Sequence, residues 1–328
     1  MTKAVLHIGS AKTGTSALQS ALAGSYAANL ARGICYPVPE AECHHLFFFA
    51  TKLGPAHWPR QFRNFSSDRL KRDVAGFFDK LSPALREAHP VYILSSEYLF
   101  LADEQAIANA VEFLSAYVDE IEAVVYLRDP ADYYSSYEQQ MLKARSHLTG
   151  PGRFTYPMRA VIEAWQAFVP VRVAGFERGT DILAHFRTDA DLPSLALEGG
   201  TNRNESLSIE QMALLEKLRR VQYADQDDRF LPHHALIPQL QPRRPHKPVL
   251  KPEIAGYLRY KHREDLAWLA RHWGIDLTQE LPDTPPALDQ RLAEAEHCAL
   301  REVFEVDEAA ILEYETYLLD ELLNSVWQ

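Results

Sequence analysis

The chain has 328 residues, 34 Lys plus Arg against 45 Asp plus Glu, a formal net charge of −11, and 47% hydrophobic residues. That length accommodates one large α/β domain or two average ones, and the acidic balance excludes a general nucleic-acid binder, whose affinity rests on neutralising phosphates. Three cysteines, Cys35, Cys43 and Cys298, fit neither a paired-cysteine zinc site nor a disulfide framework, so a reducing, cytoplasmic setting is expected. Lys12 interrupts any apolar leader core, and no apolar run reaches the roughly 18 residues of a membrane span, so no integral membrane segment is expected.

In chain order, Ala4 to Ile8 form an apolar run of strand length, and Gly9 and Gly14 bracket a turn. Thr15 or Ser16 is placed to cap a helix that keeps Leu18 and Leu22 on one face. A turn of this kind aims backbone N–H groups at one point, where the positive end of the helix dipole adds to them, and that point wants an anion. The order is Gly9, Ser10, Ala11, Lys12, Thr13, Gly14, Thr15, Ser16. In the nucleoside-triphosphate loop the lysine follows the second glycine and the next hydroxyl holds Mg²⁺; here Lys12 precedes Gly14, so that match fails.

Gly33 to Pro59 reads as irregular, rich in proline and histidine, with an apolar knot at Leu46 to Phe49 that can wall an acceptor site. Asp68 to Leu85 has helical spacing through Leu70, Val74, Phe77, Phe78 and Leu81. Val91 to Leu94 is a strand that delivers Ser95, Ser96 and Glu97, and Ala106 to Tyr117 is a further helix. Glu122 to Leu127 is a strand running into Arg128, with Asp129 as N-cap and Pro130 at the first position of the next helix. Arg128 and Ser136 stand eight residues apart.

Arg145 to Pro157 reads as a loop, Ala160 to Phe168 as a helix, Val171 to Ala174 as a strand and Asp181 to Phe186 as a helix. Ser208 and Gln211 form a capping box for the helix through Met212, Leu215 and Leu218. Leu231 to Pro252 is proline-dense and carries Arg243, Arg244, His246, Lys247 and Lys251: a loop or a lid. Leu258 to Trp273 reads as one helix stopped by Gly274, and Leu281 to Pro286 as a break. Asp307 to Trp327 is an amphipathic helix through Ile311, Tyr314, Leu318, Leu322 and Val326, able to pack on its own domain or on a second subunit of a homo-oligomer. Strands alternating with helices imply a parallel sheet whose carboxyl ends bind ligands.

Two motifs carry a resemblance. Gly9 to Ser16 resembles the 5′-phosphosulfate loop of sulfotransferases that use 3′-phosphoadenosine 5′-phosphosulfate (PAPS). Arg128 and Ser136 resemble that family's 3′-phosphate motif, arginine offering a planar fork and serine a hydroxyl to phosphate oxygens. Asn204-Glu205-Ser206-Leu207 resembles a segment of its bacterial members. The resemblance implies an α/β fold, a three-layer α/β/α sandwich with a central parallel sheet, P-loop NTPase-like, with a mostly helical C-terminal part. It implies a single domain over 1–328, with a PAPS-binding core over 1–200 and a mainly helical portion over 201–328.

By the same resemblance, Ser10, Ala11, Lys12, Thr13, Gly14, Thr15 and Ser16 hold the 5′ phosphosulfate, and Arg128 and Ser136 the 3′-phosphate. PAPS is the co-substrate, 3′-phosphoadenosine 5′-phosphate (PAP) the product, and no metal is required. Sulfuryl transfer needs a positive charge at the leaving phosphate, the role of Lys12, and a base for the acceptor hydroxyl. Glu97 is one base candidate, at the sheet's carboxyl edge; His44 and His45 are the others, since family members use either residue type. The acceptor is a small molecule or glycan, the hydroxyl of a carbohydrate or glycolipid. His7, inside the first strand, reads as a core histidine. No R-K-G-x-x-G stretch closes the adenosine end. Two other classes remain open: a phosphate-loop kinase, and a nucleotide-binding interaction protein without turnover.

Overall fold

The computed structural model describes residues 1–40, 43–177, 179–198, 206–226, 236–278 and 281–326, with the backbone alone for 43, 325 and 326. Asn204 and Glu205 of the bacterial-type segment, and 231–235 of the proline-dense stretch, lie outside the described residues.

The chain runs β1 (Lys3–His7), α1 (Thr15–Gly24), α2 (Tyr26–Leu30), β2 (Ile34–Cys35), α3 (Arg60–Arg63), α4 (Ser67–Arg86), β3 (Val91–Ser95), α5 (Glu104–Ser115) and β4 (Glu120–Leu127). There follow α6 (Pro130–Met141), β5 (Leu148–Thr149), α7 (Met158–Gln166), β6 (Val171–Gly175), α8 (Ile182–Asp189) and α9 (Ile209–Gln222). The last described elements are α10 (Pro252–Lys261), α11 (Arg263–Trp273), α12 (Gln290–Glu294), β7 (His297–Cys298), α13 (Leu300–Val303) and α14 (Glu308–Val326). The contacts divide the chain into two units, each drawn from three segments. The first is Met1–Arg128, Pro157–Asn204 and Asp265–Leu277; the second is Asp129–Tyr156, Glu205–Glu264 and Thr278–Gln328.

The first unit is an α/β layer structure around a five-stranded parallel sheet flanked by helices, in the order β2-β3-β1-β4-β6. Strand β1 lies at the middle. It pairs with β3, His7 opposite Ser95, and with β4, His7 opposite Val124. Past their first residues β1, β3 and the second half of β4 are continuous buried runs, Ala4 to His7, Tyr92 to Ser95 and Ala123 to Leu127, as expected for strands covered on both faces. On one side Val5, Ile93, Val124 and Tyr126 of the sheet bury against Leu18 and Leu22 of α1 and Phe186 of α8. The connection passes from β3 to β4 across β1, so the crevice where ligands enter such a sheet opens at the carboxyl ends of β1, β3 and β4.

Several sequence expectations are refined. The stretch after α2 holds a two-residue strand, β2, too short for any period, and a 3-10 helix over Cys43–Thr51. Neither Thr15 nor Ser16 caps α1: the N-cap is Gly14, in the left-handed region at φ 83°, with no side-chain cap.

The second unit is mostly helical. Asp129 caps α6 through bonds from the N–H groups of Ala131 and Asp132, and Pro130 takes the first position, as expected. The capping box of Ser208 and Gln211 on α9 is formed in both directions. Arg145 to Pro157 is not all loop: β5 lies in it and pairs antiparallel with β7, Leu148 opposite Cys298. Gly150 is required there, since a methyl group in its place would meet the carbonyl of Ala295.

The expected single helix from Leu258 to Trp273 is two, α10 and α11, broken at His262. His262 is 8% exposed; its Nδ1 donates to the Leu258 carbonyl at 2.8 Å, and its Nε2 accepts the N–H of Tyr156 at 3.1 Å. A helical hydrophobic period does not register a break made by one anchored ring. In α14, Ile311 and Tyr314 are buried as the spacing predicts, while Leu322 is exposed.

Among the described residues, no helix is long and apolar enough to cross a membrane.

Candidate functional site

The site is built where β1 gives way to α1. Beyond His7 the N–H of Ile8 still reaches the Val124 carbonyl at 3.0 Å, so the chain leaves the sheet abruptly at Gly9, φ 61°. Ser10 is buried and its hydroxyl donates to the Tyr126 carbonyl at 3.0 Å, which pins the loop to β4. Thr13 donates from Oγ1 back to the Ser10 carbonyl at 2.7 Å and closes the turn on itself. Three of the six residues from 9 to 14 have positive φ: Gly9, Lys12 at 66° and Gly14. Glycine takes that region freely, but lysine is strained in it, and such strain persists only where the surroundings fix it. Arg128 supplies one such fixture: its Nη1 donates to the Lys12 carbonyl at 2.9 Å.

With Gly14 at the N-cap, no cap side chain among the described residues accepts from the first-turn N–H groups of α1, at the end of the helix where the dipole is positive. The hydroxyl of Thr15 is buried, on a residue 3% exposed, and has no partner among the described residues. An orphaned buried hydroxyl beside uncapped N–H groups is a cost unless a ligand removes it.

Glu97 arrives from β3. The N–H of Ser96 donates to the His7 carbonyl at 2.9 Å, and Glu97 opens a 3-10 helix over Glu97–Leu101. It lies directly against the loop: a methyl group at Gly9 would stand 3.2 Å from both Cα and Cβ of Glu97 and 3.3 Å from Thr15 Oγ1. Gly9 is therefore the point at which the loop, the candidate base and the orphaned hydroxyl meet. Arg128, 8% exposed, leaves the end of β4 with its guanidinium 5.6 Å above the ring of Phe176.

The histidines separate. His44 is fully buried, stacked on Tyr36 at 4.0 Å; its Nδ1 accepts the N–H of Ser95 at 3.2 Å and its Nε2 donates to the Pro37 carbonyl. Both nitrogens serve the backbone, and burial lowers its pKa to about 4. Such a ring supports β3 and cannot reach a substrate proton, which removes it from the candidate bases. His45 is half-buried, its ring 4.8 Å from that of Tyr98, the residue after Glu97. His7 is a core histidine as expected: it is fully buried, paired with Ser95 Oγ at 2.8 Å, and held by desolvation at a pKa of about 3.

The first unit thus brings together Ser10, Ala11, Lys12, Thr13, Gly14, Thr15 and Ser16 with Glu97 and Arg128. Ser136 lies on α6, in the second unit. Sequence reasoning missed the framework of the loop: Tyr126 beneath Ser10, Ile182 at 3.0 Å from a methyl group placed at Gly14, and Gln19, whose Nε2 donates to the Ser95 carbonyl at 2.8 Å. Nothing in the sequence links these positions, on β4, α8 and α1, which only the packing of helices on the sheet brings together.

Among the described residues there is no group of three or more His, Cys, Asp or Glu that could hold a metal ion. Comparison with protein-family models, with curated proteins and with solved structures finds no match to this chain.

Proposed function

We propose that the chain is a PAPS-dependent sulfotransferase whose P-loop-like turn holds the 5′ phosphosulfate. The observation that carries this reading is the buried hydroxyl of Thr15, without a partner among the described residues, at the start of α1, immediately after the strained Lys12 turn. A glycine-bracketed turn with orphaned donors fits an anion. The position of Lys12, before the second glycine, fits the sulfuryl donor better than a nucleoside triphosphate held through Mg²⁺.

In this reading Thr13, Thr15, Ser16 and the loop amides bind the donor's 5′ end, with Ser10 fixing the loop. Lys12 neutralises the phosphate as it departs. Arg128 steadies the Lys12 backbone, and its role at the 3′-phosphate, like that of Ser136, is carried over from the resemblance. Glu97 takes the acceptor's proton, with His45 as the second candidate, so that the hydroxyl oxygen attacks sulfur in line with the departing phosphate oxygen. The acceptor class, a carbohydrate or glycolipid hydroxyl, is likewise carried over from the resemblance.

Calorimetry with PAP, in the absence of metal and beside ATP with Mg²⁺, tests the reading. The expected result is PAP binding weakened at least about tenfold by Lys12→Ala and by Arg128→Ala, the loss of one charge-assisted contact each. ATP binding with no preference for PAP refutes it in favour of a kinase. Once PAP binding is established, Glu97→Gln should lower turnover at least about a hundredfold with PAP affinity unchanged. Full turnover in that variant passes the role of base to His45.

A further inference from the structure

The second unit contains a cavity that the proposed transfer reaction does not use. Between Leu240 and Pro252 the sequence LQPRRPHKPVLKP has four Lys or Arg and no Asp or Glu, in a chain whose net charge is −11. The structure makes this stretch a fixed strap. Gln211, 1% exposed, donates from Nε2 to the carbonyls of Ile237 at 3.1 Å, Pro238 at 3.3 Å and Leu240 at 3.1 Å. The Tyr314 hydroxyl donates to the same Leu240 carbonyl at 2.6 Å.

At the other end Glu210, also 1% exposed, accepts His246 Nδ1 at 2.5 Å and the His246 N–H at 3.3 Å, and the His246 carbonyl accepts the N–H of Ile209 at 2.9 Å. Pro242 and Pro248 are buried, and the five residues between them are exposed. A plain connection has no need of a buried carboxylate and a buried amide to hold it.

What the strap presents is an arginine pair over a cavity of about 260 Å³ against the first turns of α14. Arg243 is oriented by the ring of Tyr317, its Cζ 4.7 Å from the centroid. Arg244 makes no ion pair, hydrogen bond or ring contact among the described residues. Two carboxylates line the same cavity: Asp307, whose Oδ1 accepts the N–H groups of Ala309 and Ala310, and Glu313, which has no partner among the described residues.

Two guanidinium-bearing residues in one lining ask for an oxyanion, which the planar fork takes in two parallel bonds. A carboxylate in the same lining repels a bare anion and accepts from hydroxyls. We infer that this cavity binds a single acidic sugar unit, one that carries a carboxylate or a sulfate monoester and presents free hydroxyls. The arginines take the oxyanion and Glu313 the hydroxyls. The volume suits one ring rather than a chain, at the small end of ligand pockets.

Titration calorimetry on the full chain, with glucuronate, glucose 6-sulfate, glucose and inorganic sulfate as four separate probes, decides the matter. The expected result is binding of glucuronate or glucose 6-sulfate, weakened at least about tenfold in the Arg243→Ala/Arg244→Ala double variant and at least about threefold in Glu313→Gln. Glucose should bind at least about tenfold more weakly than the charged sugar. Inorganic sulfate bound as tightly as either charged sugar overturns the proposal in favour of a plain oxyanion site, and charged sugars bound equally by the double variant overturn it outright. All three substituted residues are exposed, so their removal leaves the thermal transition in place, and a scan of each variant verifies this. Lys12→Ala should bind the sugar normally, so a failure of the donor-site reading and a failure here give different results.

Discussion

At the scale of single residues, Gly9 and His44 each decide something that their neighbours cannot. Gly9 holds φ at 61° and leaves no room for a side chain between the loop and Glu97. Gly9→Ala should therefore cost about 1–3 kcal/mol in urea unfolding and abolish PAP binding, while Gly54→Ala, with nothing within 4 Å of the added methyl, should do neither. An alanine variant as stable as its parent would mean that the loop can move off Glu97. Burial lowers His7 to about 3 and His44 to about 4 from the ordinary 6.5. Between those values the unfolded chain binds protons that the folded chain does not. Stability is then complete above pH 6.5 and falls as pH drops toward 4, by up to about 1.4 kcal/mol per pH unit for each ring. Denaturant titrations from pH 7 downward should show that slope roughly halved in His44→Gln; an unchanged slope would assign it elsewhere.

At the scale of elements, α9 rests on its cap. Ser208→Ala removes the oxygen that accepts from Gln211, and its expected cost is about 1 kcal/mol in the unfolding of the second unit, with the donor loop untouched. This cap was legible because a capping box is a local signal: two residue types three positions apart. The strands β1, β3, β4 and β6 were legible for a similar reason, each a short apolar run between turn residues, and so was the strand-to-helix turn that carries Lys12. What escaped was set by partners far away in the chain. β2, β5 and β7 are two residues each and exist only because a strand lies alongside them. The break at His262 depends on Tyr156, 106 positions earlier. His44 and His45 are adjacent and alike in sequence, yet one is spent on the Ser95 and Pro37 backbone and the other lies beside Tyr98. No local pattern distinguishes them.

At the scale of the whole molecule, the two units interleave, and the chain crosses between them five times. The first unit borrows a stretch of α11, whose Leu269 is fully buried, and the segment after it, where Ile275 and Leu277 lie near Gly175. In the same stretch Asp265 accepts the N–H of Arg159 at 3.1 Å, and Trp268 lies under the Arg159 guanidinium at 5.6 Å. A fragment that stops at residue 204 contains the entire sheet and every loop residue of the donor site, but it lacks this cover. It should show no cooperative thermal transition and no PAP binding; a sharp transition in that fragment would mean that the added stretch is dispensable.

The same interleaving sets a clock for biosynthesis. Gly9 to Ser16 are made about 260 residues before Leu277, and the unit that gives them their shape is incomplete until that residue has been made. At about 5–20 residues per second, that leaves the nascent sheet waiting for some tens of seconds, its apolar strands uncovered and open to chaperones. Slowing translation between 204 and 277 should lower the soluble yield more than slowing it after 277.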